Sequence, residues 1–170
     1  MKTSSLLIGC LTLVTLTLAP VSRAFADVAA SDQTFVKKAA VGGMTEVDLG
    51  KMAQEKGQSQ DVKDFGAQMV KDHSANNDEL AGLAKSKDIM VPDKIDAMHQ
   101  KLEDSLSAKS GADFDKAYIG AMVKGHTKML ALMKGEESSS DADLKAFATK
   151  TADTVQMHLN MAKKVQSTLK

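Results

Sequence analysis

Two stretches of this chain repeat one pattern at helical spacing. Phe65 is followed four positions later by Met69-Val70-Lys71 and eight positions later by His73; Tyr118 is followed in the same way by Met122-Val123-Lys124 and His126. Residues four and eight apart lie on one face of an α-helix. A twice-used stripe of aromatic, thioether and imidazole side chains therefore predicts two helices that turn equivalent faces toward a shared interior.

The rest of the chain extends that reading. Ser31 or Asp32 is suited to cap a first helix that runs to about Lys56, where Gly57 supplies a stop. Ser59 is suited to cap a second, to about Lys87. Pro92 fits the first turn of a third, shorter helix reaching about Lys109, with Ser110-Gly111 as a break. Asp113 to Lys134 reads as a fourth helix, and Asp141 opens a fifth that continues nearly to Lys170, after the polar linker from Gly135 to Ser140. No segment alternates as a strand does. The expected class is all-α: four long helices in a bundle, with the short helix belonging to the connection between the second and third long ones.

The stripes define the faces. Val62, Phe65, Met69, His73, Leu80 and Ala84 follow one side of the second helix; Leu144, Ala148, Thr151, Val155, His158 and Ala162 follow one side of the last. The first helix differs, presenting Ala39, Ala40, Gly43, Gly50 and Ala53 with Glu46 among them. Small side chains let a neighbouring helix approach closely or leave room for a group that another helix donates. A carboxylate on such a face needs a partner.

Glu46, His73, His126 and His158 each fall near the midpoint of their helix and on its apolar face. In a bundle of similar-length helices the midpoints share one level, so one carboxylate and three imidazoles are expected to converge there. Bundle-core metal sites are built in this way. Asp72, beside His73 in the sequence, is a candidate for supporting a ligand from behind. The same four residues equally suit a structural polar layer without metal. His99, on the short helix, has no such convergence and reads as a surface or packing residue.

Outside its first residue the chain has ten further methionines, and Met69 with His73, Met122 with His126, and Met157 with His158 place thioether near imidazole. That pairing suits soft copper(I), but methionine is also common filler in helical cores.

The first residues set an expected compartment. Met1 and Lys2 precede an apolar run from Leu6 to Ala19, and Ala24-Phe25-Ala26 gives a small-x-small cleavage sequence. This is the order of a secretory signal peptide, placing residues 1–26 as signal and residues 27–170 as one exported domain. An alternative is lipidation at Cys10, in Leu7-Ile8-Gly9-Cys10, which would divide the apolar run. Cleavage after Ala26 removes the only cysteine, and with it disulfide and thiolate chemistry. It also leaves 20 basic against 22 acidic residues, a net charge of about −2. That balance argues against nucleic-acid binding, and no second apolar run is long enough for a membrane span.

Several separated segments, in order, resemble one family. Phe35-Val36, Gly43-Met44-Thr45-Glu46, Met69-Val70-Lys71-Asp72-His73, Phe114-Asp115, Tyr118, His126 and His158-Leu159 together resemble DUF4142, exported bacterial ferritin-like domains of unknown function often labelled outer-membrane proteins. The resemblance covers nearly all of residues 27–170 and implies a ferritin-like bundle outside the cytoplasm. Di-iron members of the wider ferritin-like group use two Glu-x-x-His pairs. Here Val70 and Val155 stand three positions before His73 and His158, so those carboxylates are missing and oxygen-activating di-iron chemistry is not expected.

No nucleophile elbow or phosphate-cradling loop occurs, which argues against an enzyme. Two functions remain. One is a non-enzymatic envelope protein with a stress-related or interaction role and an envelope protein partner. The other is a bundle that holds one divalent or copper ion, zinc, copper or iron, through Glu46, His73, His126 and His158.

Overall fold

The computed structural model describes residues 29–169, so the signal-peptide and Cys10 expectations lie outside the described residues. Five helices follow in order: α1 (Ala30–Lys56), α2 (Gln60–Ser86), α3 (Ala97–Ser107), α4 (Gly111–Glu136) and α5 (Ala142–Thr168). There is no strand among the described residues. The fold is a ferritin-like four-helix bundle with one short connecting helix, as the stripes require.

Polar contacts between helix ends define the topology. The Asp115 carboxylate, near the start of α4, accepts hydrogen bonds from the Gln58 and Ser59 amides at 3.0 and 2.7 Å. It thereby satisfies orphan donors at the start of α2. At the other end, Lys87 just after α2 pairs with Asp141 and Asp143 at 2.7 and 3.0 Å, and Ser139 Oγ donates to Asp32 at 3.2 Å. The starts of α2 and α4 therefore lie at one end of the bundle, and the starts of α1 and α5 at the other. The two hairpins α1/α2 and α4/α5 are linked by a segment that carries α3 along the length of the bundle.

Three boundaries depart from the sequence reading. The first helix begins at Ala30, with Ala29 in the cap position and no side-chain cap; Asp32 instead sits buried in the first turn, bonded to Ser31 and Ser139. The third begins five residues after Pro92. Asp96 caps it by accepting from the Met98 and His99 amides at 3.0 and 2.9 Å, a bond that Pro92 has no side chain to make. The fourth begins at Gly111, whose φ of +56° is the left-handed region that glycine enters freely. Asp141 caps α5 as expected, accepting from the Asp143 and Leu144 amides.

The small face of α1 has two uses. Gly50 and Gly66 face one another so closely that a Cβ on either would stand 2.8 or 2.7 Å from the other's carbonyl oxygen, which sets the α1–α2 crossing. Gly43 makes room for Asn77, whose Oδ1 would lie 1.9 Å from an added Cβ.

The core has two apolar halves. Phe35, Val36, Leu80, Met133, Leu144 and Phe147 anchor one; Leu49, Phe65, Met69, Phe114, Tyr118 and Met122 anchor the other. Between them lies a polar layer formed by the midpoints of the long helices. Met69, Met122 and Met133 are fully buried and serve as core filler, while Met90, Met98 and Met157 are exposed.

Candidate metal centre

His73 is the central residue of the 27-residue α2, and His126 and His158 reach the same level from α4 and α5. Their exposures are 5%, 1% and 0%. The ring centroids form a near-equilateral triangle of 5.6, 5.3 and 5.4 Å for the pairs 73–126, 73–158 and 126–158. One ligating nitrogen from each ring lies within 4.8 Å of the other two. Burial in an apolar bundle thus brings together three imidazoles that stand 53, 32 and 85 positions apart along the chain, which is why no local spacing motif announces them.

The outer partners select the tautomers. His126 Nδ1 donates to the Met122 carbonyl, one turn earlier on α4, at 2.9 Å, leaving Nε2 as the lone-pair nitrogen. His158 Nε2 donates to Asp72 Oδ2 at 2.8 Å, leaving Nδ1. Three ring nitrogens are buried without a partner: Nε2 of His73, Nε2 of His126 and Nδ1 of His158. Buried polar atoms usually find a partner, so three unpartnered nitrogens from one layer, one per ring, form a donor set that one ion could share.

Two of the rings, His73 and His158, are held neutral. Burial, reinforced by His126 and His158, lowers the His73 pKa to about 3. Burial also lowers His158, against the opposing pull of Asp72. Burial raises the Asp72 carboxyl, but hydrogen bonds from Gln68 and His158 outweigh it and hold the group below its ordinary value. Asp72 is therefore an anion facing His158, with Gln68 Nε2 donating to the same oxygen at 2.6 Å. The partner is across the α2–α5 interface and not the adjacent His73, because consecutive residues on a helix point about 100° apart.

Glu46 stands outside the triangle. Its Oε1 is 3.7 Å from His126 Nδ1, on the side of the ring that already bonds Met122. Its Oε2 has no partner, and burial raises its pKa against the lowering pull of His126 and His99. Tyr118, one of the paired aromatics, stacks on Phe114 and has a buried hydroxyl without a partner. Burial and then Glu46 push its pKa well up. His99, on α3, is not part of the triangle; its Nδ1 is 2.7 Å from Asp96 and it faces the groove that Glu46 lines. Sequence reading named Asp72 as a supporting residue without saying which histidine it supports; that is fixed by the relative rotation of two helices.

A ferritin-like bundle with a buried layer of three histidines is thus the class that fold and site define. The chain belongs to the family described as Domain of unknown function (DUF4142), whose model matches residues 17–165. Among curated proteins none matches it. Solved structures show the same fold at low identity. A DUF305 fragment from Deinococcus radiodurans superposes with a TM-score of 0.76 at 12% identity, over 85% of this chain and 100% of that one. CopM in the Cu(I)-bound form gives a TM-score of 0.66 at 14% identity, over 78% of this chain and 93% of that one. CopM in the Cu(II)-bound form gives 0.69 at 14%, over 81% and 96%. No described helix is long and apolar enough to cross a membrane.

Proposed function

We propose that this protein is an exported, non-enzymatic bundle of the cell envelope that binds one copper ion on His73, His126 and His158. The observation that carries the reading is the set of three buried histidines, each with one partnerless ring nitrogen and each offering a ligating nitrogen within 4.8 Å of the other two. Metal–imidazole bonds of about 2.0 Å require nitrogens roughly 3.3–3.5 Å apart, so closure around an ion takes side-chain shifts of about an ångström. With His73 and His158 held neutral, the lone pairs need no deprotonation at neutral pH.

The donor chemistry favours a monovalent ion. The ligating atoms carry no charge, and the cost of burying an ion grows with the square of its charge. Copper(I) accepts imidazole and avoids the heavier penalty of a bare divalent ion. The Asp72 carboxylate behind His158 supplies one balancing negative charge and raises that ligand's basicity. Bundles of the same fold bearing Cu(I), Cu(II) and silver support the choice of metal. Glu46, which the sequence placed among the ligands, is assigned here to the back of His126. The signal sequence ending at Ala26 supports export, and residues 27–170 are the corresponding domain.

The test is metal content after anaerobic loading of the purified protein with Cu(I), with silver(I) and zinc in parallel. About one equivalent of copper is expected, absent from His126→Ala while the helical circular dichroism persists. A protein that takes up none reduces the histidines to a structural layer with an interaction role. Retention of copper by His126→Ala would equally remove the triad as its site.

A further inference from the structure

A second feature stands apart from the histidine layer. Along the seam of α1 and α4, overlain at one end by α3, runs an open groove of about 860 Å³. That lies within the roughly 300–1,000 Å³ typical of small-ligand sites. Its walls are apolar: Val41, Leu49, Leu102, Met122, Met129 and Leu132. Four exposed lysines, Lys37 and Lys38 on α1 and Lys124 and Lys128 on α4, also line it. None of the four forms an ion pair among the described residues, whereas Lys51, Lys87 and Lys150 each do.

The register orders these groups. α1 and α4 run antiparallel, with Glu46 beside Gly125 and Gly42 beside Met129. Lys37 and Lys38 consequently lie toward the end of the seam remote from α3, with Lys128 nearer its middle, while Leu49 and Met122 lie toward α3, whose Leu102 closes that end. Midway, Glu46 lines the floor, 8% exposed, with Oε2 unpartnered. Gly125 has no side chain to cover it; a Cβ there would stand 3.2 Å from Glu46 Oε1. Beneath this trough the protein thus leaves one buried carboxyl oxygen without a partner of its own. In a chain whose basic and acidic residues balance at 22 each, an apolar groove rimmed by four lysines without ion pairs, with Asp96 and His99 paired to each other on the α3 side, is a local excess of positive charge.

We propose that this groove binds a single-chain amphiphile with an anionic head, such as a fatty carboxylate, the head among Lys37, Lys38 and Lys128 and the chain running under α3. The size suits one chain, and the balance of walls and rim suits an apolar body with one negative end.

Calorimetric titration of the purified protein with dodecanoate, below its micelle concentration and at low salt, is the test. One saturable site per chain is expected. Dodecyltrimethylammonium, which has the same chain with the opposite head, should bind at least ten-fold more weakly. Lys37→Glu/Lys128→Glu, which alters only exposed side chains, should weaken dodecanoate at least ten-fold with unchanged helical circular dichroism. Absence of a saturable site, equal affinity for the two heads, or unchanged affinity in the double variant would each overturn the proposal. So would binding to anionic phospholipid vesicles without binding to dodecanoate, which assigns the lysines to a bilayer surface. Blockage of dodecanoate by self-association would assign the groove to a second copy of the chain.

Discussion

Replacing Glu136 with Gln should make the protein more stable at pH 8 and leave it unchanged near pH 4.5. Glu136, 8% exposed at the end of α4, has its pKa raised from 4.5 to about 7, first by burial, then by Asp32 nearby. A raised carboxyl pKa means that the folded chain holds the proton more tightly than the unfolded one. The associated stability is complete below about pH 4.5 and is lost as pH rises through 7. At 1.36 kcal/mol per pKa unit a shift of this size corresponds to at most about 3 kcal/mol. Gln is isosteric, keeps amide donors beside Asp32, and never ionises. The variant should therefore gain about 2 kcal/mol over the natural protein by pH 6 and about 3 kcal/mol by pH 8, near 10 °C in Tm for a domain of this size. The measurement is the difference between the two proteins in urea unfolding from pH 4.5 to 8. A single pH profile mixes opposing groups: His73, with its lowered pKa, contributes stability that is present above pH 6.5 and lost as pH falls toward 3. Parallel profiles for the two proteins would refute the reasoning, since Glu136 would then ionise alike in both states.

Three further outcomes follow from the geometry. Asp72→Asn removes the anion behind His158 while retaining a group of the same size, and copper affinity measured by competition with a chromophoric chelator should fall ten- to a hundred-fold with stoichiometry unchanged. Gly66→Ala drives a Cβ to 2.7 Å from the Gly50 carbonyl and should cost about 1–3 kcal/mol in chemical unfolding, whereas Gly82→Ala, with nothing within 4 Å, should gain about 0.5–1 kcal/mol. Asp115→Ala leaves the Gln58 and Ser59 amides without their acceptor and should lower stability by about 1–2 kcal/mol, seen as a lower urea midpoint with the helix content of the native state preserved.

The helix pattern was readable along the chain because helical periodicity is a local property. The stripes through Phe65-Met69-His73 and Tyr118-Met122-His126 named the faces that are buried, and the Asp141 cap was placed from side-chain chemistry alone. The start of α3 was not, since Pro92 and Asp96 are both acceptable helix openers and only the path of the connecting segment chooses between them. Glu136 gave no signal at all: its neighbour Asp32 is 104 positions away, and their proximity exists only because α1 starts where α4 ends.

The same division governs the site. Composition and periodicity sufficed to make a bundle and to send three histidines and Glu46 inward at one level, because an apolar stripe has only one face to bury. Which groups converge was decided by helix rotation and crossing. The Gly50–Gly66 contact sets how closely α1 meets α2, and the relative rotation of α2 and α5 gives Asp72 to His158 rather than to His73. Rotations of a few tens of degrees move a side chain by several ångströms, enough to make Glu46 a neighbour of His126 instead of a fourth member of the triangle. Such rotations are a sum over the packing of all four helices, and no single helix encodes them.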